Sequence, residues 1–134
     1  MDCVFCKIIK GEIPCYKIYE DEFTLAFLDI AKDVDGHTLV IPKKHYVSIF
    51  DCDKQELNHV MQSVQKISKH YTEHCGFDGI NLLNANDETA GQSVFHFHIH
   101  IIPRRKNDKV NFWPQYDKAN HSLDEMKDML KLSK

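Results

Sequence analysis

The sequence predicts an α+β domain with an antiparallel sheet of about five strands, one long helix and a short C-terminal helix. Two observations support this fold class. Short β-rich runs and a long helical repeat follow one another in the order βββαββ, and a shorter helical repeat lies near the end. The 134 residues are 43% hydrophobic and 28% charged, an ordinary globular composition that excludes a largely disordered chain. We expect one domain over residues 1–134, with a core at about 3–106 and a tail at 107–134.

Three strands are predicted ahead of the long helix. Lys17–Glu20 and residues 23–29 are β-rich runs on either side of an acidic turn centred on Asp21. Residues 38–41 (Thr-Leu-Val-Ile) form a third run, which Pro42 should end because proline has no N–H to donate to a neighbouring strand. Three consecutive runs of this kind predict a meander.

The long helix is predicted to begin at Asp53 and to end before Gly76. Asp53 with Glu56 three residues later is a variant of the capping box, and glycine is typical of the position after a helix. A second capping box, Ser122 with Glu125, predicts the short C-terminal helix. The apolar residues at helical spacing are Leu57, Val60, Met61, Val64, Ile67 and Tyr71 in the first helix, and Leu123, Met126 and Leu130 in the second.

Two further strands are predicted after the long helix. Residues 79–84 form a β-rich run, residues 84–91 a polar turn, and residues 93–102 a second run that Pro103 should end. In this last run histidine alternates with apolar residues, so His96, His98 and His100 should share one face. The opposite face should be buried, and its residues are Phe95, Phe97, Ile99 and Ile101.

Three alternating histidines are unusual on a strand face. Same-face neighbours on a strand lie about 6.6–6.8 Å apart, so the outer two imidazoles are too distant to share one metal ion. The pattern therefore indicates different roles for the three, as nucleophile, acid, base or metal ligand. The turn Gly91-Gln92-Ser93 precedes the run, and its N–H groups and hydroxyl could hold an anion such as phosphate. The glycine motifs of phosphate loops and dinucleotide-binding folds are absent from the sequence.

The charge balance argues against nucleic acid as a partner. Lysine and arginine number 17 against 20 acidic residues, a net charge of −3 with neutral histidine. This leaves no global basic field to hold a phosphate backbone. No apolar run approaches the roughly 18 residues of a membrane span, and the first residues lack the order of a signal peptide. We therefore expect a soluble, cytoplasmic protein that binds no membrane.

The five cysteines do not form an obvious disulfide framework. Their odd number, without a signal peptide, argues against one. The pair Cys3-x-x-Cys6 is typical either of half a zinc site or of a redox pair. In the first case the remaining ligands would have to be histidine, aspartate or glutamate from distant parts of the chain.

The segment HFHIHII at residues 96–102 resembles the histidine triad motif, in which three histidines alternate with apolar residues and two apolar residues end the motif. Three further segments, in matching order, are similar to those of the histidine triad (HIT) family. The supporting segments are CVFCKIIKGEIP from Cys3, LAFLDI from Leu25, GHTLVIPKKH from Gly36 and, around the triad, AGQSVFHFHIHIIPR from Ala90. Along nearly its whole length the chain resembles the Hint-type branch of purine nucleoside phosphoramidases, and its zinc-binding bacterial-type members.

The resemblance implies the HIT fold and a role for each catalytic residue. His98, the middle histidine, matches the nucleophile that attacks the α-phosphorus of a nucleotide and forms a nucleotidyl-histidine intermediate, which water then hydrolyses. Covalent catalysis of this kind divides one difficult step into two easier ones. His100 and His37 match residues that contact the phosphate, and Ser93 matches a hydroxyl beside the leaving group.

The resemblance also implies a nucleotide pocket. The amides of Gly91 and Gln92, with Asn84, would complete the phosphate cradle, and Asn86 is a rival to Asn84 because the preceding turn varies in length. Asp29 would bind the ribose, since a carboxylate offers two acceptor oxygens to two hydroxyl donors. The base pocket would be lined by Phe5, Phe27 and Ile30, with Val4 and Ile8, for which plain core packing is the alternative.

A structural zinc ion and a homodimer follow from the same resemblance. The matching ligands are Cys3, Cys6, His45 and His96, a closed four-coordinate set that leaves no open position for substrate. Two chains would pair through the long helix and an adjoining strand, which would join their sheets.

The function implied is hydrolysis of purine nucleoside 5′-phosphoramidates or acyl-adenylates, which releases the nucleoside monophosphate. A dinucleoside polyphosphate hydrolase or a nucleotidyl transferase is the first alternative, and a non-catalytic nucleotide-binding regulatory protein is the second. The intact set of His37, Ser93, His98 and His100 argues against the second. One departure lies just before His37: many relatives have Pro-x-x-Pro-Gly-His, whereas residues 32–37 here are Lys-Asp-Val-Asp-Gly-His.

Overall fold

A five-stranded antiparallel sheet forms the centre of the molecule, so the predicted fold class is confirmed. The structure is a computed structural model that describes residues 2–111 and 113–133. The strands are β1 (Lys17–Glu20), β2 (Thr24–Leu28), β3 (Thr38–Pro42), β4 (Gly79–Leu83) and β5 (Ile99–Arg104). Their order across the sheet is β1-β2-β3-β5-β4. The predicted meander therefore forms, and the last strand inserts between it and β4.

The helices include one that the sequence patterns do not predict. They are α1 (Val4–Ile9), α2 (Lys54–His74) and α3 (Leu123–Leu130), with a short 3-10 turn at Glu88–Ala90. At six residues, α1 is too short to show a periodic pattern, and its cap is unusual: the Cys3 sulfur accepts a hydrogen bond from the Cys6 N–H. Within the described ranges, no helix combines the length and apolar character needed to cross a membrane.

The two longer helices match their predicted positions. Asp53 is the N-cap of α2, as predicted. Its carbonyl accepts a hydrogen bond from the Leu57 N–H at 2.9 Å, but its side chain makes no capping hydrogen bond. At α3 the predicted box forms, with the Ser122 hydroxyl accepting from the Glu125 N–H at 3.1 Å.

Both faces of the sheet are covered. Helix α2 packs on one face through Val60, Val64 and Ile67, whereas Met61 of the predicted apolar set remains 41% exposed. On the other face, Phe5 of α1 and Cys3 before it pack in a second cluster with residues of β2 and β3. Strands β2 and β3 are buried along almost their whole length for this reason.

The prediction of a continuous strand over residues 93–102 is wrong in its first half. Strand β5 begins only at Ile99, and residues 93–98 leave the sheet, where the Phe97 N–H donates to the Tyr46 carbonyl at 2.6 Å. Phe95, predicted to be buried, is 47% exposed, and His96 and His98 are buried. Outside the sheet, the buried His96 side chain donates to the Pro42 carbonyl at 2.8 Å, which satisfies a polar group that would otherwise be buried without a partner.

Strand β5 also continues past Pro103 to Arg104, although proline was expected to end it. Proline is tolerated because β3 pairs with β5 only as far as Ile101, so Pro103 has a strand on one side only. On the open side its ring lies against Gly36, whose φ is +79°. A Cβ on Gly36 would lie 2.9 Å from the Pro103 Cγ.

We expect Gly36→Ala to destabilise the fold more than Gly76→Ala. Both glycines have positive φ, +79° and +81°, but a Cβ at Gly76 meets nothing within 4 Å. Strain of the backbone alone should cost about 1–2 kcal/mol in each variant. The contact with Pro103 should add about 1–3 kcal/mol in Gly36→Ala. Urea denaturation of the two variants measures the difference, and equal losses of stability would show that Pro103 moves aside freely.

Candidate active site and metal site

Two triad histidines, His96 and His98, each have one ring nitrogen bonded to a group that can only accept a hydrogen bond. The Nδ1 of His98 lies 2.7 Å from the His96 carbonyl oxygen, and the Nε2 of His96 lies 2.8 Å from the Pro42 carbonyl oxygen. Because a carbonyl cannot donate, these two nitrogens carry the hydrogens. The neutral rings therefore have lone pairs on His98 Nε2 and on His96 Nδ1.

The third triad histidine belongs to a line of polar groups. The Nδ1 of His37 lies 2.9 and 3.1 Å from the two carboxylate oxygens of Asp33, and its Nε2 lies 2.8 Å from the Nδ1 of His100. An Asp29 oxygen is 3.7 Å from the same His37 Nε2. Asp29, His37 and His100 bring potential metal-ligand atoms within 4.8 Å of one another. The 2.8 Å between the two imidazole nitrogens, however, is a hydrogen-bond distance and is shorter than the roughly 3.3 Å that separates two nitrogens on one zinc ion.

Burial keeps the triad imidazoles neutral. It lowers the pKa of His98 below the usual value of 6.5. For His100, burial and the neighbouring His98 and His37 lower the pKa to about 4, and for His96 burial also lowers it to about 4. At neutral pH, His98 therefore presents an unprotonated Nε2, which is the form of an imidazole that can act as a nucleophile.

A cavity of about 370 Å³ opens beside His98, between α1 and the sheet. Its volume lies in the range of about 300–1,000 Å³ that is typical of small-molecule sites. Phe5 packs edge-on against both Phe27 and His98, with ring centroids 5.5 and 5.3 Å apart. The lining includes nine residues predicted for the site: Val4, Phe5, Ile8, Phe27, Asp29, Ile30, Ser93, His98 and His100.

Two of the predicted phosphate ligands are engaged elsewhere. The Gly91 N–H donates to the Glu88 carbonyl at 2.9 Å, and the Gln92 N–H donates to the Asp87 carbonyl at 3.1 Å. Both bonds close the short 3-10 turn before Ser93. In this conformation neither amide is available to an anion, so the predicted amide cradle does not form.

Asn84, predicted for the phosphate cradle, bonds to the backbone of His98 and does not line the cavity. The Asn84 side-chain amide donates to the His98 carbonyl at 2.9 Å. Its rival Asn86 accepts from the Ile49 N–H at 2.7 Å and thereby holds a neighbouring loop. The buried Gln92 side chain donates to the Val47 carbonyl at 2.6 Å. These side chains therefore position the segment that carries Ser93 and His98.

Several lining residues have no signal in the sequence patterns. The cavity is also lined by Ile13, Pro14, Cys15, Leu28, Leu39 and Val94. Those at positions 13–15 lie in the loop between α1 and β1, where no periodic pattern exists. The contact of Asp33 with His37 also has no signal in the sequence, because nothing local distinguishes this carboxylate from others in polar turns.

The four predicted metal ligands converge. Sulfur–nitrogen distances are 3.4 Å for Cys3–His96 and for Cys6–His45, and 3.6 Å for Cys6–His96, and the two Nδ1 atoms are 3.1 Å apart. All four donor atoms lie within 4.8 Å of one another. Zn–S and Zn–N bonds of about 2.3 and 2.0–2.1 Å require tetrahedral edges of about 3.3–3.8 Å. Three of the four distances lie in this range and the Nδ1–Nδ1 distance is about 0.2 Å shorter, so the donor set fits a zinc ion after a small movement.

The electrostatics of this cluster are also those of a metal site. Burial and the adjacent Cys3 raise the pKa of the Cys6 thiol. A cation would offset both effects, because metal-bound cysteine is a thiolate. His96 directs its lone pair into the cluster while its other nitrogen donates to the Pro42 carbonyl, an arrangement that is typical of metal-bound histidine.

A buried histidine cluster at the end of a five-stranded antiparallel sheet defines a histidine triad domain. Residues 10–107 match the family model described as the HIT domain, and the chain belongs to this family. It is 50% identical over 103 residues to "Protein hit" of Bacillus subtilis, covering 77% of this chain and 71% of that protein. It is 40% identical over 119 residues to the adenosine 5′-monophosphoramidase hnt1 of Schizosaccharomyces pombe, covering 87% and 86%.

Solved structures show the same fold. A HIT family protein from Bacillus anthracis superimposes with a TM-score of 0.83 at 43% identity, covering 96% of this chain and 92% of that one. A zinc-bound histidine triad family protein from Mycobacterium smegmatis superimposes with a TM-score of 0.79 at 41% identity, covering 87% and 85%.

Proposed function

We propose that this protein hydrolyses purine nucleoside 5′-phosphoramidates or acyl-adenylates through a covalent nucleotidyl-histidine intermediate on His98. The observation that carries this proposal is the state of His98: a neutral imidazole whose Nδ1 is bonded to a carbonyl and whose ring lines a cavity of nucleotide size. The S. pombe relative is named an adenosine 5′-monophosphoramidase, which supports the same substrate class.

The cavity offers different surfaces to the parts of a nucleotide. Phe5, Phe27 and Ile8 form an apolar wall that suits a purine ring. Asp29 lies at the sheet side of the cavity, and one of its carboxylate oxygens is held by the Ala31 N–H at 2.8 Å. Its other oxygen can accept hydrogen bonds from ribose hydroxyls. The α-phosphate would then lie between Asp29 and His98, at the histidine end.

The reaction divides into two displacements at phosphorus. The His98 Nε2 lone pair forms a bond to the α-phosphorus as the P–N or P–O bond to the leaving group breaks. An amine leaving group takes up a proton from solvent, which the water of the second step returns, whereas a carboxylate leaves as the anion. His100, whose ring centroid is 4.8 Å from that of His98, stabilises the phosphate charge, and the Ser93 hydroxyl lies beside the leaving group. Water then attacks the phosphorus and releases the nucleoside monophosphate, and His98 is regenerated.

We expect His98→Ala to abolish turnover, by at least about 10³-fold in kcat, and to abolish the adenylated intermediate. No neighbour can replace it: the lone pair of His96 faces the cysteines, and the His100 ring lies 4.8 Å from that of His98, so its free nitrogen does not occupy the same in-line position. AMP release from adenosine 5′-phosphoramidate and mass spectrometry of acid-quenched protein measure both effects. His100→Ala should lower kcat partially, by about 10–100-fold.

The exposed His74 on α2 provides a matched histidine control, and His74→Ala should retain wild-type turnover. Activity of His98→Ala within about tenfold of wild type, or an adenylate on another residue, would contradict the covalent mechanism. Binding of AMP by wild type without turnover of either substrate class would favour the non-catalytic alternative.

We further propose that Cys3, Cys6, His45 and His96 bind a structural zinc ion. The donor distances and the closed four-ligand set support this proposal, as does the zinc-bound relative from M. smegmatis. When bound, the ion would neutralise the thiolates and tie α1 to residues 93–98. Because His96 directs its free nitrogen into the cluster, the ion would hold the backbone that supports His98 without touching the substrate.

Cys3→Ala with Cys6→Ala should reduce the zinc content from about one ion per chain to none and should lower the Tm, because a structural ion contributes directly to folding. Plasma emission spectrometry and thermal unfolding measure the two effects, and some turnover should remain. The control is Cys52→Ala with Cys75→Ala, which removes two thiols outside the cluster. Wild-type protein purified without chelator and free of zinc would refute the site.

We also propose a homodimer that pairs through β4 and α2. Strand β4 is at the edge of the sheet, where its outer N–H and C=O groups can pair with a second strand. Leu82 and Leu83 on this strand are 46% and 37% exposed, and Met61 on α2 is 41% exposed. These apolar side chains would be buried between two copies.

Sedimentation equilibrium should therefore give about twice the chain mass of 15.7 kDa at micromolar concentration. Leu82→Lys should shift the equilibrium toward monomer, because it places a charge at the proposed interface. A wild-type protein that remains a monomer under these conditions would exclude the dimer.

A further inference from the structure

The turn before β3 contains a carboxylate that contacts the site from outside the cavity. Asp33 is four residues before His37, within the segment that lacks the prolines of many relatives. Its oxygens lie 2.9 and 3.1 Å from His37 Nδ1. The Asp33 side chain is 48% exposed, whereas that of His37 is only 10% exposed. Asp33 is absent from the cavity lining and so reaches the site only through His37.

The backbone of this turn holds Asp33 in place. Its Oδ1 accepts from the Val34 N–H at 2.8 Å, and the turn is closed by the Asp29 N–H, which donates to the His37 carbonyl at 2.8 Å. These bonds aim the carboxylate at the imidazole before any substrate binds. The hydrogen bond with His37 and that from the Val34 N–H lower the pKa of Asp33, although partial burial opposes them, so the group is ionised at neutral pH.

An ionised carboxylate determines where the hydrogens of both imidazoles lie. Because it can only accept, His37 Nδ1 carries a hydrogen, and in the neutral ring His37 Nε2 is then the acceptor. The nitrogen that faces it at 2.8 Å, His100 Nδ1, must therefore donate. This leaves the lone pair of His100 on Nε2. The negative charge of a bound phosphate would favour protonation of this nitrogen, which could then donate a hydrogen bond to a phosphate oxygen.

We propose that Asp33 is a positioning residue that fixes the tautomer of His37 and, through it, the proton and orientation of His100. The hydrogen-bonded series Asp33–His37–His100 thus orients the His100 imidazole so that its Nε2 can interact with the charge that develops on the phosphate. The kinetic consequence rests on the function proposed above, whereas the tautomer itself can be observed without any turnover.

The direct test is ¹⁵N NMR of histidine-labelled full-length protein at neutral pH. In wild type, His37 should show a protonated Nδ1 and an unprotonated Nε2, and His100 should show a protonated Nδ1. In Asp33→Ala, His37 should become a mixture of both tautomers. The matched control is Asp35→Ala, which removes a carboxylate of the same turn that is 93% exposed and 4.0 Å from Arg105. The control should keep the wild-type tautomer.

The kinetic test uses adenosine 5′-phosphoramidate. Asp33→Ala should lower kcat on the order of tenfold, the usual effect of removing a carboxylate that orients a histidine. KM should remain within about twofold, because Asp33 does not line the cavity. In a His37→Ala background, removal of Asp33 should change kcat by less than about twofold, since the path through His37 is already lost. Asp35→Ala should match wild type.

Three results would overturn the proposal. The first is an Asp33→Ala protein in which His37 keeps a single protonated Nδ1. The second is an unchanged kcat in that variant, and the third is a full additional loss in the His37→Ala background. If Asp33→Ala lacks cooperative thermal unfolding, Asp33→Asn replaces it, because its amide can also donate to Nδ1 and should weaken the tautomer preference. Wild-type protein that releases no AMP would count against the proposed function, and the NMR result would still decide the role of Asp33.

Discussion

The hydrogen bond from His98 to the His96 carbonyl links His98 to the metal-donor cluster and to strand β3, because His96 also contacts both of these. Its Nε2 donates to Pro42 at the end of β3, its Nδ1 faces the two cysteines, and its carbonyl holds His98. The position of His98 is therefore determined by the end of one strand and by a cluster around α1. A shift of His96 would disturb the donor cluster and the orientation of His98 together.

Burial of so many imidazoles is possible only because each has a hydrogen-bond partner. An unpaired polar group in the interior costs on the order of 1–3 kcal/mol, so carbonyl and carboxylate partners are needed for stability. These partners also select one tautomer for His96, His98 and His37. The same contacts that make the buried histidines tolerable therefore direct their lone pairs, and low solvent access keeps His98 and His100 neutral.

The N-terminal segment has two roles in a short length of chain. Helix α1 spans six residues, too few to be stable alone. It is held by the packing of Phe5 against Phe27 and by the proximity of Cys3 and Cys6 to His45 and His96. In return, α1 supplies the apolar wall of the cavity through Phe5 and Ile8. The donor cluster and the cavity therefore share the N-terminal segment as a wall.

The sequence by itself determined the order of the strands along the chain, the positions of α2 and α3, and the residue types of the site, because these follow from local periodicity and recognisable motifs. Tertiary structure decided where β5 begins, that α1 forms, that the Gly91 and Gln92 amides close a turn, and that Asp33 meets His37. The reason is the distance along the chain between interacting groups. His96 is 54 residues from the carbonyl it binds and 93 residues from Cys3, and no local pattern reports contacts of that range.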